Sequence, residues 1–432
     1  MKCSGWGRYP QVDCEEFSIS QKTNLNELIT HCDSAIAFGN GRSYGDSALG
    51  SHIMKLKQRD YFLSFDHKTG LLHVQAGVLL SEIIEHYVPL GWFLKVTPGT
   101  KLITVGGAIA SDVHGKNHHI EGCFSECVHE FTIMLANGEI TTCDKEQNPD
   151  LFHATCGGQG LTGVILDAKI YLKKINSQFI SQTTIKTKNL KETFEAFEKY
   201  KNMPYSVAWI DCLAKGSSKG KSLLMVGDFR DDCELEYKHK HQVSIPFNFP
   251  TWSLNNWSVS AFNWIYYHKV TEKISHQKVD IDSFFYPLDA LGNWNRIYGK
   301  NGFTQYQFIL PKETSYEGLD EILSTIAESG KGSFLAVLKL YGKANDNWLS
   351  FPMEGYSLAL DFKVEPELFQ LFEVLDKVVL KYGGRFYLAK DARVSKEVFE
   401  QGYPNIEKFR EFRKKNHMDI KFQSLQSKRV GI

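Results

Sequence analysis

Three glycine-rich segments within the first 165 residues carry the residue types best suited to chemistry. The first, Phe38-Gly39-Asn40-Gly41-Arg42-Ser43-Tyr44-Gly45-Asp46, follows the apolar run Ala35-Ile36-Ala37. A strand that runs into glycines and a basic residue can form a nest of backbone N–H groups around a phosphate; a plain glycine turn between strands is the alternative. Neither a Gly-x-Gly-x-x-Gly opening a helix nor the Gly-Lys-Ser/Thr of a P-loop is present. The second segment contains Gly106-Gly107-Ala108-Ile109-Ala110-Ser111, small at every position but Ile109. Small residues let a backbone pass close to a flat or charged ligand. The third is Cys156-Gly157-Gly158-Gln159-Gly160-Leu161-Thr162-Gly163-Val164. Together the three suit one large, extended ligand of the size of a dinucleotide.

The run His114-Gly115-Lys116-Asn117-His118-His119 has the composition of a metal tract. No partnering cluster of His, Asp or Glu at helical spacing accompanies it, so no metal site is predicted.

Periodicity outlines the elements that must position these groups. Leu72, Val74 and Ala76 alternate with Leu71, His73 and Gln75, a half-buried strand, and Leu80, Ile83, Ile84, Tyr87 and Val88 then fall at helical spacing up to Gly91. Phe131, Ile133 and Leu135 alternate before Asn137-Gly138, a hairpin turn into a return strand at Ile140. In the last third, strands are predicted over 304–310, 334–341, 356–362 and 385–389, with helices over 319–330 and 366–383. The order β-α-β-β-α-β is ferredoxin-like. Both helices then cover one sheet face. Tyr306, Phe308, Phe334, Leu338, Leu358, Leu360, Phe386 and Leu388 are expected to face them, and Gln305, Gln307, Lys339, Asp361 and Tyr387 to face away. That polar face is either solvated or the wall of a site shared with another domain, and its groups suit hydroxyl and phosphate recognition.

The chain has 432 residues, enough for two or three domains. Lys+Arg 50 balances Asp+Glu 50, so a protein built on nucleic-acid backbone binding is not expected. Nine cysteines without a Cys-x-x-Cys make a poor disulfide framework and a poor zinc site. With no apolar leader at the start and no run of ~18 apolar residues, the expectation is a reducing, cytosolic compartment. Between Lys240 and Lys269 there is no Asp, Glu, Lys or Arg, yet Phe247, Phe249, Trp252, Trp257, Phe262, Trp264, Tyr266 and Tyr267 are all there. The stretch is either a helix and loop packed in a core or an apolar surface for a lipid tail or a membrane.

Read in order, the segments carry a resemblance. Gly5-Trp6-Gly7-Arg8, Gly41-Arg42-Ser43-Tyr44-Gly45-Asp46, Thr104-Val105-Gly106-Gly107-Ala108-Ile109, the histidine run, Gly157-Gly158-Gln159-Gly160-Leu161-Thr162-Gly163, Phe284-Phe285-Tyr286-Pro287-Leu288-Asp289 with Trp294-Asn295-Arg296, Gln305-Tyr306-Gln307-Phe308 and Tyr387-Leu388-Ala389-Lys390-Asp391 follow one another along the whole chain. In these the chain resembles FAD-dependent oxidoreductases of the vanillyl-alcohol-oxidase (PCMH) type, and within them the flavin oxidases of polyprenyl-phosphate-linked pentoses.

The resemblance implies an α+β, two-domain PCMH-type FAD-binding fold with a ferredoxin-like substrate domain. Residues 1–175 and a C-terminal return over 385–432 would bind FAD, and 176–384 would form the substrate domain. It implies that Ala37, Phe38, Gly39, Asn40, Gly41, Arg42, Ser43, Tyr44, Gly45, Asp46 and Ser47 wrap the FAD pyrophosphate. Gly99, Thr104, Val105, Gly106, Gly107, Ser111, Asp112, Val113 and His114 would line the diphosphate and the isoalloxazine, Gly163 and Val164 would sit near the adenosine, and Tyr387 near the flavin ring. Many relatives carry a flavin-linked histidine where Tyr44 stands, so the FAD is expected to be non-covalent.

Lys390 matches a lysine that stabilises the charge a reduced flavin gains; a surface lysine after a strand is the alternative. His114 and Tyr44 are further candidates for proton handling or hydroxyl positioning. Lys116, Tyr298, Gln305, Gln307, Lys339, Asp361 and Lys390 match or flank the substrate pocket, with Lys339 as a point charge for phosphate. A pocket cysteine of the family is Ala359 here. The implied reaction oxidises a secondary hydroxyl of a lipid-linked or free pentose, the first half of a 2′-epimerisation completed by an NAD(P)H-dependent short-chain reductase. It would run in the cytoplasm, with a peripheral contact at the inner face of the membrane. A soluble sugar, alditol or aldonolactone oxidase of the same fold and a flavin-binding protein without catalysis are the alternatives.

Overall fold

Alternating and turn-forming residues set out the first strands in the computed structural model, which describes residues 2–238, 243–250 and 252–432. A hairpin joins β1 (Lys2–Ser4) to β2 (Gln11–Asp13). Next, β3 (Glu15–Ser18), β4 (Ile36–Phe38) and β5 (His52–Lys55) form a parallel sheet of order β3-β5-β4. An antiparallel sheet combines β6 (Phe62–Asp66), β7 (Leu71–Gln75), β8 (Trp92–Leu94), β9 (Val128–Met134), β10 (Ile140–Cys143) and β11 (Val164–Lys174) in the order β10-β9-β11-β7-β6, with β8 on the far end of β11. Gly138 takes φ 85° in the turn between β9 and β10, as its Asn-Gly sequence requires. The helix α1 (Leu80–Tyr87) buries Leu80, Ile83, Ile84 and Tyr87 in the core of this sheet. The short α2 (Val105–Ala110) starts at Thr104, whose hydroxyl accepts from the Gly107 N–H.

The second large sheet is built from β12 (Phe179–Thr187), β13 (Tyr205–Ile210), β14 (Ser222–Phe229), β15 (Ile274–Asp280), β16 (Phe303–Pro311), β17 (Ala336–Tyr341), β18 (Gly355–Lys363) and β19 (Arg385–Phe386). Its order is β15-β12-β14-β13-β17-β18-β16-β19. The half β17-β18-β16-β19, with α5 (Ser315–Ser329) and α6 (Leu368–Lys381), has the expected ferredoxin-like topology. The other half repeats that strand order without a sequence repeat. There β12 leads through α3 (Leu190–Lys199) to β13, and β14 leads through α4 (Asn256–His268) to β15. The halves meet where β13 pairs with β17.

Side-chain sorting on β16 to β19 follows the period-two expectation. Tyr306, Phe308, Leu338, Leu358, Leu360, Phe386 and Leu388 share one core with Leu319 and Ile322 of α5 and Leu371 and Phe372 of α6. Phe334 departs from it. The strand starts only at Ala336, so Phe334 escapes the alternation and packs on Tyr298 and Phe262, at ring distances of 5.7 and 5.4 Å.

Two further expectations change. Cys3 and Cys14 are joined as a disulfide, because the β1–β2 hairpin brings its ends together. The aromatic stretch is not a core segment. Trp252, Trp257 and Trp264 are 76%, 87% and 60% exposed, and Lys240, His241, Gln242 and Thr251 lie outside the described residues.

The C-terminal residues return to the small parallel sheet. Ala35 bridges Phe422 in parallel, and Lys421 Nζ donates to the carbonyls of Ile29 and Cys32, both at 2.6 Å. Helix α7 (Leu425–Val430), opened by a capping box at Ser424, presents Arg429 to Asp46 at 2.7 Å and to Asp391 at 2.9 Å. Both carboxylates are buried. Arg429→Ala would leave them uncompensated and is expected to cost about 3 kcal/mol of stability, read as a lower urea midpoint at pH 7; an unchanged midpoint would show the pair to be dispensable.

Candidate active site

The glycine-rich loops face the polar side of the large sheet across a cavity of about 580 Å³. Close backbone approach explains the glycines. A Cβ on Gly39 would stand 2.4 Å from Thr104 Oγ1, and one on Gly45 only 1.7 Å from the Asp391 carbonyl oxygen. Asn40 Nδ2 donates to the Leu102 carbonyl at 2.7 Å, which ties the first loop to the second. The Tyr44 N–H donates to the Ala389 carbonyl at 3.1 Å, and in that register Lys390 Nζ rests 3.5 Å from the centre of the Tyr44 ring. The Arg42 guanidinium stacks 3.9 Å over Trp6. Its Nε is buried without a partner among the described residues.

The floor and far wall come from the sheet. Gln305 and Gln307 of β16, Lys339 of β17, Ala359 of β18 and then Tyr387 and Lys390 all line the cavity, as does Lys116 from the histidine run. Lys116 Nζ donates to the Phe284 carbonyl and lies 4.4 Å over the Phe284 ring. Burial, with Lys339 nearby, lowers its pKa to about 7, and burial lowers Lys339 to about 8. Lys390 is lowered by burial, a shift that the Asp361 carboxylate opposes. Asp361 is raised by burial, although it accepts a 2.5 Å hydrogen bond from Gln305. Three ammonium groups and one carboxylate thus converge on one space, a pattern that favours an anion.

His114 is held well below its ordinary pKa by burial and by Lys339. It is therefore a neutral imidazole, with Nδ1 lacking a partner among the described residues. Burial pushes Tyr44 well above 10.0, so its phenol stays protonated and acts as a donor rather than a base.

Of the residues singled out in the sequence, the structure brings Ala37, Phe38, Gly39, Asn40, Gly41, Arg42, Ser43, Tyr44, Gly45, Ser47, Gly99, Thr104, Gly106, Gly107, Ser111, Val113, His114, Gly163 and Tyr387 to the cavity wall. Six others stand behind it. Asp46 is held by Arg429, Val105 is buried under α2, and Val164 starts β11 in the core. Asp112 is wholly buried and accepts from Asn345, Asn347, Ser350 and the Ser125 N–H. Tyr298 stacks on Phe303, and Asp361 sits behind Gln305. The histidine run splits up. His118 Nδ1 accepts from the Gly342 N–H, His119 Nε2 donates to the Met203 carbonyl, and His114 alone of the three faces the cavity.

Composition and periodicity missed other wall residues. Trp6, Ser283 and Asp289 line the cavity; Asp289 accepts from Thr100 Oγ1 and the Lys101 N–H, both at 2.8 Å, and so anchors the second loop. Lys101 is buried in an ion pair with Asp282 at 2.7 Å. The signal for these was the ordered motif match at 5–8 and 284–289, which named the segments and not their contacts. Trp209, Tyr266 and Lys269 at the other end of the cavity had no motif.

A family model described as an FAD binding domain matches residues 26–144. The chain is 34% identical over 447 aligned positions to decaprenylphosphoryl-β-D-ribose oxidase of Mycolicibacterium smegmatis, covering 99% of this chain and 97% of that protein. The chain belongs to the decaprenylphosphoryl-ribose oxidase family. It is an FAD-dependent oxidoreductase acting on CH–OH groups. More distant likenesses include L-gulonolactone oxidase of Mus musculus, 23% identical over 95% of this chain and 92% of that one, and a putative D-arabinono-1,4-lactone oxidase of Neurospora crassa, 29% identical over 43% and 34%.

The residues present fit the FAD of this oxidase family. Arg42 offers an unpaired buried donor beside glycine turns, and a Cβ at Gly99 would meet nothing within 4 Å, so the loop there borders open space. Tyr44 offers no ring nitrogen or thiolate for a flavin linkage. Acid precipitation of the yellow protein is therefore expected to leave all flavin in the supernatant, measured at 450 nm; flavin retained in the pellet would contradict this.

Proposed function

We propose that this protein oxidises a secondary hydroxyl of a pentose joined through phosphate to a polyprenyl chain. The observation that carries this reading is the convergence of Lys116, Lys339 and Lys390 on one cavity with a single nearby carboxylate, Asp361. A neutral alditol or lactone gives such a cluster nothing to neutralise, whereas a phosphodiester does. On this reading residues 1–175 and 385–432 hold FAD and residues 176–384 hold the sugar. The loop residues from Ala37 to Ser47, Gly99, the stretch from Thr104 to Gly107 and Gly163 wrap the cofactor without a covalent bond, and His114 and Tyr387 border its ring. The remaining residues expected there, Ser111, Asp112, Val113 and Val164, support those that touch it.

When bound, FAD accepts the hydride of the sugar C–H. Lys390 supplies a fixed positive charge where negative charge develops, and Asp361 keeps that ammonium charged in a buried setting. Gln305 and Gln307 orient sugar hydroxyls. Lys116 and Lys339 hold the phosphate. His114, neutral and with a free ring nitrogen, receives the hydroxyl proton, and Tyr44 donates to the sugar. Tyr298 shapes the wall behind it. The ketose then leaves for reduction by an NAD(P)H-dependent reductase, which completes an epimerisation. The work is done in the cytoplasm with a peripheral membrane contact; among the described residues no helix is long and apolar enough to cross a membrane.

Anaerobic mixing with a prenylphosphoryl pentose is expected to bleach the flavin, and bleaching by free pentose or an aldonolactone alone would overturn the reading. Lys390→Met should keep its flavin and lose at least ~100-fold in the bleaching rate. In the unsubstituted enzyme that rate should fall as pH rises through a value below the ordinary 10.5 of lysine, because the lowered Lys390 loses its proton there. KM for the phosphorylated donor should rise above about pH 8 as Lys339 discharges, with no such rise for a free sugar.

A further inference from the structure

We propose that α4 (Asn256–His268) and the loop before it dock the enzyme on an anionic phospholipid bilayer, beside the mouth through which the substrate's tail leaves. The inference deepens the proposed function and rests on it for the tail alone.

A surface helix normally turns a charged face to water. Here Trp257, Ala261, Trp264 and Ile265 follow at i, i+4, i+7 and i+8, and the three large ones are 87%, 60% and 62% exposed. The opposite side, Val259, Asn263 and Tyr267, is buried. Tyr267 donates to the Thr187 carbonyl at 2.9 Å and Asn263 to Asp211 at 2.8 Å, so the helix is fixed to the body while its apolar stripe points out. Trp252, 76% exposed, extends the stripe into the loop. Tryptophan with a free indole N–H suits the boundary between headgroups and acyl chains.

Position ties the stripe to the site. In the ferredoxin-like half formed by β12 to β15, α3 packs on the face that carries Leu224 and Val226. Helix α4 instead covers the opposite face, where its Tyr266 lies 4.8 Å from Trp209. Tyr266, Trp209 and Lys269 also line the end of the cavity remote from Arg42. An apolar tail leaving there meets the helix at once.

Charge favours a bilayer over a second copy of this chain. From Val243 to His268 the described residues carry no formal charge. Lysines rim the stripe: Lys363 donates to the Leu254 carbonyl at 3.0 Å at one end, and Lys269 stacks 3.6 Å over Tyr266 at the other. Lys186 and Lys221 lie over Tyr267 at 4.4 and 4.9 Å. An apolar stripe with a basic rim complements anionic headgroups and repels its own copy.

The full-length yellow enzyme should sediment with vesicles of phosphatidylcholine and phosphatidylglycerol and much less with phosphatidylcholine alone. The double variant Trp257→Ser, Trp264→Ser should bind at least about tenfold more weakly, while its flavin spectrum and its bleaching by a short-chain, water-soluble prenylphosphoryl pentose stay unchanged. Wild-type enzyme left in the supernatant by both vesicle types, undiminished binding by the variant, or a wild-type dimer that the substitutions dissolve would each overturn the docking. Failure of the soluble donor to bleach either protein contradicts the substrate reading instead, and sedimentation decides the docking separately.

Discussion

Arg429 stands between Asp46 and Asp391, and through it the last helix of the chain fixes the distance between the first glycine loop and the turn after the final strand. Both carboxylates are buried, so neither loop can leave without stranding a charge in the interior. Gly45 allows the contact, because any side chain there would strike the Asp391 carbonyl. The outcome is the placement of Lys390 over Tyr44. An ammonium in so enclosed a setting is costly, and its cost is lowered by the aromatic face and the Asp361 carboxylate. The charge is thus stored in the folded state, ready to act without rearrangement.

The large sheet has a related economy. Two halves of the same strand order meet edge to edge, and one continuous polar face results. One half supplies the amides and lysine of the sugar wall. The other supplies Gln182, Val207, Trp209 and Met225, a less polar wall that runs outward to α4. A ligand with a charged head and an apolar tail matches this gradient better than a small soluble sugar does.

Much of this was legible in the sequence. Period-two alternation sorted the core and polar faces of β16 to β19 because both faces are fully occupied, and Phe334 failed only because it lies before its strand begins. The glycine loops were legible as ligand loops because their composition suits little else. Arg429 was not, since its partners are 383 and 38 residues away in the chain and nothing in a Lys-Arg pair marks burial. Nor was the exposure of α4, because a helix apolar on both sides has no periodic signal to say which side faces water. The Cys3–Cys14 bridge depended on hairpin register, which cysteine counting does not contain. Lys390 stood out by motif alone, and the contact with Tyr44 supplies its physical reason.

The reduction midpoint potential of the bound FAD tests the role of the stored charge most directly. Dye-equilibration titration of the wild-type and Lys390→Met holoenzymes should place the variant lower by on the order of 50 mV, with flavin still bound. An equal or higher potential in the variant would contradict a charge-stabilising ammonium at this position.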